Sequence, residues 1–165
     1  MSKLVILDKD GTLIATVERN GKRQPANRPD EQVALPGVAE KLAKLRAEGY
    51  QLAIASNQGG VAWGIISPEQ ADELVADAAA KVGGVDAWAV SYCDPRAAVK
   101  HPDSPFARDC ANRKPRPGML FDLMKRLRAD PKKTMLVGDM DSDAEAAKAA
   151  GISFSWAKDF FGWTG

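Results

Sequence analysis

Short, continuous apolar runs alternate along this chain with segments whose apolar positions recur at helical spacing. The first run, KLVIL at 3–7, is β-branched and uninterrupted, the pattern of a strand buried on both faces. Residues 16–34 are polar and carry Asn20-Gly21, Pro25 and Pro29, which predicts a loop. From Pro36 onward Val38, Leu42 and Leu45 share one helical face, with Gly49 as the stop. YQLAIAS at 50–56 predicts a second strand. Ser67, Pro68 and Gln70 then supply a cap, a proline at the first helical position and a capping-box partner for a helix reaching about Val82. VDAWAVSY at 85–92 predicts a third strand, and 93–116 reads as irregular. GMLFDLMKRLRA at 118–129 predicts a third helix and TMLVGD at 134–139 a fourth strand. Ser142 and Glu145 form a capping box for a helix ending at Gly151, and ISFSW at 152–156 predicts a fifth strand.

Strands alternating with amphipathic helices imply an α/β fold, a Rossmann-like three-layer sandwich with a central parallel sheet and helices on both faces. The 165 residues suit a single domain, expected over 1–165. Composition changes this picture little. Hydrophobic residues make up 45% and charged residues 27%, ordinary for a globular protein. The formal net charge of +1 offers no global field for nucleic acid or membrane. No apolar run is long enough to span a bilayer. Two cysteines and no export signal give the expectation of a reducing, cytoplasmic setting.

Ligands of parallel α/β sheets bind beyond the carboxyl ends of the strands. Here those ends carry Asp8 and Asp10, then Ser56 and Asn57, then Asp139. Three carboxylates brought together would repel one another, and a hard divalent cation such as Mg2+, which prefers oxygen ligands, resolves this. Ser56 and Asn57 offer a hydroxyl and an amide to phosphate oxygens, and Lys114 adds a positive charge. A carboxylate can also act as a nucleophile and form an aspartyl-phosphate. A second one two residues on can protonate the leaving alkoxide and then deprotonate water.

Four motifs occur in order: DKDGT at 8–12, SNQ at 56–58, RKPRPG at 113–118 and GDMDSD at 138–143. Together they resemble the haloacid dehalogenase superfamily of phosphatases. SNQGGVAWG and RKPRPGML look most like its histidinol-phosphatase and heptose-bisphosphate-phosphatase group, small members without a large cap domain. The resemblance implies that Asp8 is the nucleophile and Asp10 the general acid/base. It implies that Mg2+ is held by Asp8, the Asp10 carbonyl and Asp139. It places Thr12, Ser56, Asn57, Arg113 and Lys114 on substrate or its phosphoryl group. Asp143 matches the group's supporting acid, acting on the metal site or on Lys114, and Asp141 is read as a solvated acid. The implied function is a Mg2+-dependent phosphomonoesterase working through an aspartyl-phosphate on a small metabolite, whether a sugar phosphate, a heptose bisphosphate or a histidinol-phosphate-like alcohol.

The group's zinc loop, C-x-H followed by C-x-C, is degenerate here: Cys93-Asp94-Pro95 and Cys110-Ala111-Asn112. His101 adds a third donor and no fourth is evident, so a closed zinc site is not expected. Cys93 and Cys110 are read as ordinary reduced thiols, ahead of a metal site, with a disulfide least favoured. Arg19, Lys22, Arg23 and Arg28 form a basic loop that either attracts an anionic substrate or is simply solvated. Trp63 lines the entrance or packs as a half-buried aromatic, while Trp156 and Trp163 are expected to anchor the tail. Two alternatives stand beside the metabolite phosphatase. One is a polynucleotide 3′-phosphatase, disfavoured by the near-neutral charge. The other is a receiver-like phosphoacceptor module.

Overall fold

The computed structural model describes residues 1–164. β1 (Ser2–Leu7), β4 (Gln51–Asn57), β5 (Ala87–Ser91), β6 (Ala129–Gly138) and β7 (Ser153–Trp156) form one sheet in the order β5-β4-β1-β6-β7. Every pairing in it is parallel. β2 (Val17–Arg19) and β3 (Lys22–Gln24) form a separate antiparallel hairpin. The α/β sandwich expected from the pattern is the fold, and no large cap interrupts it. The segment between β1 and β4 holds only the hairpin, a 3-10 turn at Pro29–Glu31 and α1 (Val38–Ala47).

Successive side chains of a strand point to opposite faces, so the uninterrupted apolar runs feed two cores. Val5 and Leu7 of β1, with Leu52 and Ile54 of β4, face Val38, Leu42 and Leu45 of α1. Val75, Ala78 and Ala79 of α2 (Pro68–Lys81) complete that layer. Leu4 and Ile6, with Ala53 and Ala55, face the other way, toward α3 (Gly118–Leu127) and α4 (Asp141–Ala150). Burying each such leucine or isoleucine contributes about 1.5–3 kcal/mol. The wide apolar face of α3, with Met119, Leu120, Leu123 and Met124 all buried, is what its sequence periodicity encodes.

The structure differs from the sequence reading at several places. The 16–34 loop contains the β2–β3 hairpin, turned at Asn20-Gly21, both of which adopt positive φ (53° and 75°). This is the dipeptide favoured for a tight hairpin turn. β6 starts at Ala129 rather than Thr134, with a register shift against β1 that leaves Pro131, Lys132 and Lys133 exposed. A strand tolerates proline where the ladder is broken. α4 begins at Asp141 with Met140 as its cap residue, so the Ser142/Glu145 capping box is not the one used. Instead, the Met140 N–H donates to Asp143 Oδ2 at 3.1 Å. The box at Ser67 and Gln70 does form, with both reciprocal hydrogen bonds. A short helix, α5 (Ala157–Phe161), follows β7. Trp163 then stacks on Phe161 and donates to the Pro36 carbonyl at 2.7 Å, tying the tail to the start of α1. Trp156 instead stays partly exposed at the sheet edge against Phe154.

Candidate active site

Parallel register assembles the site. Leu7 lies level with Ile54 and with Val137, so the residues following all three strands emerge at one edge. The Asp8 N–H bonds to the Val137 carbonyl at 3.0 Å, which sets Asp8 beside Gly138-Asp139. Oxygens of Asp8, Asp139 and Asp143 lie within 4.8 Å of one another. Two motif glycines permit that crowding. A Cβ on Gly11, at φ +84°, would collide with the Asp139 carboxylate, and a Cβ on Gly138 would collide with Asp143.

Lys114 enters this cluster from the loop before α3. Its ammonium is buried and donates to Asp143 Oδ1 at 2.6 Å, Ala55 O at 2.8 Å and Asp8 Oδ1 at 2.9 Å. Those three bonds match its three N–H donors. Burial alone would lower its pKa, but the charges of Asp8 and Asp143 outweigh that and raise it, so the group stays protonated. Asp143 is buried, with one oxygen on Lys114 and the other on the Met140 N–H. Burial and the Asp8 charge push its pKa up, against the pull of Lys114. Asp139 is open to solvent on the mouth side, yet protein crowds its other sides. That partial desolvation, then the charge of Asp8 and a hydrogen bond to it, raise Asp139 to about 8. Asp141 is exposed at the first turn of α4, clear of the cluster.

Not every candidate points at the centre. Ser56 is buried there, its hydroxyl accepting from Gln58 Nε2 at 2.7 Å. Asn57 instead clamps the Lys114 main chain, donating to Lys114 O and accepting from Lys114 N, both at 3.0 Å. Both polar ends of its side chain are thereby engaged on the lysine loop. Thr12 is wholly buried in the turn after Asp10. Its hydroxyl has no hydrogen-bond partner among the described residues and no solvent access.

Asp10 is held from two sides. Oδ1 accepts from Lys9 Nζ at 2.7 Å and Oδ2 from Gln58 Nε2 at 3.2 Å. The sequence reading passed over Lys9 and Gln58, as well as Asp94, which organises the rim. Asp94 is buried and accepts from Arg96, at both the main chain and the guanidinium, and from Trp63 Nε1 at 3.0 Å. Burial pushes its pKa up, but these donors outweigh it and hold the carboxyl at about 2. Trp63 is thus a half-buried rim residue, with His101 edge-on at 5.9 Å. Arg113 donates from Nη1 to Cys93 O at 2.6 Å and lies 3.9 Å from Asp94.

Cys93 and Cys110 are joined as a disulfide, with Cα atoms 6.1 Å apart, which corrects the reduced-thiol reading. The irregular segment between them folds back on itself, and that fold-back brings the two thiols together. Of the basic loop, Arg19 pairs with Glu31 at 2.9 Å and Arg28 with Asp30 at 3.2 Å, leaving Lys22 and Arg23 as the exposed charges of the hairpin.

A carboxylate cluster of this kind fits a hard divalent cation: the oxygens are close enough to share one, and their crowding disfavours full ionisation without it. No helix among the described residues is long and apolar enough to cross a membrane.

Comparison with known proteins agrees with the geometry. The sequence profile of the family described as "Polynucleotide kinase 3 phosphatase" matches residues 3–161. The D-glycero-beta-D-manno-heptose-1,7-bisphosphate 7-phosphatase of Pasteurella multocida is 35% identical over 154 residues, covering 92% of this chain and 79% of the relative. The crystal structure of D,D-heptose 1,7-bisphosphate phosphatase from B. bronchiseptica, complexed with magnesium and phosphate, superposes with a TM-score of 0.71 at 31% identity. It covers 92% of this chain and 78% of its own. A putative haloacid-dehalogenase-like phosphatase from Mesorhizobium loti gives a TM-score of 0.75 at 25% identity, covering 92% and 69%.

Proposed function

Because the chain belongs to the haloacid dehalogenase superfamily phosphatases, within the heptose-bisphosphate group, we propose that it is a Mg2+-dependent phosphomonoesterase acting on a phosphorylated sugar of the heptose-bisphosphate kind. The observation that carries this reading is the buried Lys114 bridging Asp8 and Asp143 beside Asp139. Asp8 attacks phosphorus, the ester oxygen departs, and the phosphoryl group rests on the Asp8 carboxylate. Asp10, directed by Lys9 and Gln58, gives its proton to the leaving alkoxide. It then takes one from the water that hydrolyses the acyl phosphate. Lys114 is placed to balance charge on the transferring group, exchanging its Asp8 contact for a phosphoryl oxygen. The carboxylates of Asp8 and Asp139 and the main-chain carbonyl of Asp10 would hold Mg2+, with Asp143 supporting Lys114. The ion supplies charge neutralisation for the phosphoryl oxygens. At the rim, Arg113, held by Cys93 O and beside Asp94, would supply the cation for the sugar's distal anionic end.

The curated relatives at 30–35% identity name a heptose bisphosphate. Phosphatase relatives also displace the receiver-like reading. A panel of heptose 1,7-bisphosphate, other sugar phosphates, histidinol phosphate and a 3′-phosphorylated oligonucleotide tests the proposal. The heptose bisphosphate should lead in kcat/KM by at least about tenfold, a difference of roughly 1.4 kcal/mol. A lead for the oligonucleotide would replace the sugar reading with a nucleic-acid one.

A further inference from the structure

Lys9 sits between the two aspartates of the first motif, and a lysine ordinarily faces solvent. It is instead completely buried, at 0% exposure. A buried ammonium requires partners, because desolvating an unpaired charge costs several kcal/mol. Lys9 has two: Asp10 Oδ1 at 2.7 Å and Gln32 Oε1 at 2.6 Å.

Gln32 is itself fixed. Its amide nitrogen donates to Leu74 O at 2.9 Å and Asp77 Oδ2 at 2.8 Å, both on α2. Both acceptors require an N–H, so the amide has one orientation and its oxygen must face Lys9. Asp77 in turn accepts from Lys81 at 2.7 Å, and Lys81 also donates to Pro29 O at 2.6 Å. The backbone around Gln32 is stitched to the segment just after Asp10. Ala15 N donates to Val33 O at 2.8 Å, and Leu35 N to Leu13 O at 2.9 Å. The relay from α2 to Asp10 is therefore closed at both ends, and nothing in the reaction proposed above requires its distal members.

We infer that Lys9 and Gln32 are positioning residues for Asp10: the relay Asp77–Gln32–Lys9 fixes the Asp10 carboxylate in the orientation from which it serves the leaving group. This rests on the reading of Asp10 as general acid/base. A merely structural Lys9 would tie α2 to the sheet and affect every substrate alike. A positioning Lys9 acts on the step that needs a proton. In the phosphorylation of Asp8 it matters most for alkyl phosphates, whose leaving alkoxides are poor, and little for aryl phosphates, whose leaving groups depart unprotonated; the later activation of water is common to both.

The test compares the single-turnover rate of alcohol release, which reports the phosphorylation of Asp8 alone, from p-nitrophenyl phosphate and from an alkyl phosphate, in the unaltered protein and in Asp10→Asn, Lys9→Met and Gln32→Met, each checked for folding by circular dichroism. Gln32→Met, in a loop outside the sheet, carries the test if Lys9→Met does not fold. General acid–base assistance is worth 10²–10⁴-fold, so losing its alignment should lower the rate of alcohol release from the alkyl ester by about ten- to a hundredfold, with less than about threefold loss on the aryl ester. If Asp10→Asn shows that split and Gln32→Met keeps the full rate of alcohol release from the alkyl ester, the positioning role is overturned while the acid/base reading stands. An equal loss on both esters in Gln32→Met overturns it too, in favour of general support of the fold. If Asp10→Asn itself shows no split, the acid/base reading fails first and takes this one with it.

Discussion

At the scale of single residues, buried charges do most of the organising. Lys114 lies between Asp8 and Asp143 with all three N–H groups engaged. Lys114→Met leaves two carboxylates facing each other without a cation. Breaking such a buried pair costs about 3–5 kcal/mol, and for a chain of this length that is a fall of about 10 °C in Tm. Loss of one charge-stabilising donor should also lower kcat by at least about 10²-fold. Thermal unfolding and phosphate release on the same preparation check both, and a stable, fully active variant would remove Lys114 from its role. The juxtaposition of Asp8, Asp139 and Lys114 was legible in the sequence because motifs place the two acids just after strands and the lysine in the loop before α3. The partners of Asp10 were not. A lysine between two aspartates and a glutamine in a polar loop look solvated until the fold brings them to 2.6 Å. Nor does the type of Asn57, an amide at a strand end, tell that its side chain bonds the Lys114 main chain.

At the scale of elements, apolar runs and helical spacing located the five sheet strands and four principal helices, because burial on one face or two leaves a periodic trace. Starts and irregular segments were harder. The Ser142/Glu145 box was plausible locally, yet α4 starts earlier because Asp143 reaches back to the Met140 N–H while its other oxygen holds Lys114. The 93–113 segment carries no periodic signal, so its disulfide was invisible. That bond's effect belongs to this scale. Arg113 bonds to the carbonyls of both bridged residues, through Nη1 to Cys93 O and through its main-chain N–H to Cys110 O. The bridge spans a sequence separation of 17, and a loop of about that length is worth roughly 3 kcal/mol in the chain-entropy model. Reduction should therefore lower Tm by several degrees, expose two titratable thiols and raise KM for the bisphosphate as Arg113 loosens. Thiol counting with melts in the presence and absence of dithiothreitol measures this. Two free thiols before reduction, with no change in Tm after it, would contradict the bridge.

At the scale of the whole molecule, a parallel sheet gathers acids from three strands at one edge, and the cost of that gathering depends on pH. With Asp139 raised to about 8, the folded protein without cation holds a proton that the unfolded chain releases near the usual carboxylate value of 3.8. The proton-bound folded state is therefore favoured at low pH, and this contribution to stability is lost as pH rises through that window towards about 8. Mg2+ requires the ionised carboxylates, so its affinity and the Tm increment it gives should both grow from about pH 6 to pH 9. Calorimetric titration in buffers of different ionisation enthalpy should show proton release on binding below about pH 8. A pH-independent Mg2+ affinity would contradict that coupling. Passage of the phosphoryl group through Asp8 is the step on which the proposed reaction turns. Its most direct test is phosphate release from heptose 1,7-bisphosphate with Mg2+, measured side by side for the unaltered protein and Asp8→Asn. An amide cannot serve as the nucleophile, so kcat should fall by at least about 10⁴-fold with the fold intact. An Asp8→Asn protein retaining activity within about tenfold of the unaltered one would contradict the mechanism at its first step.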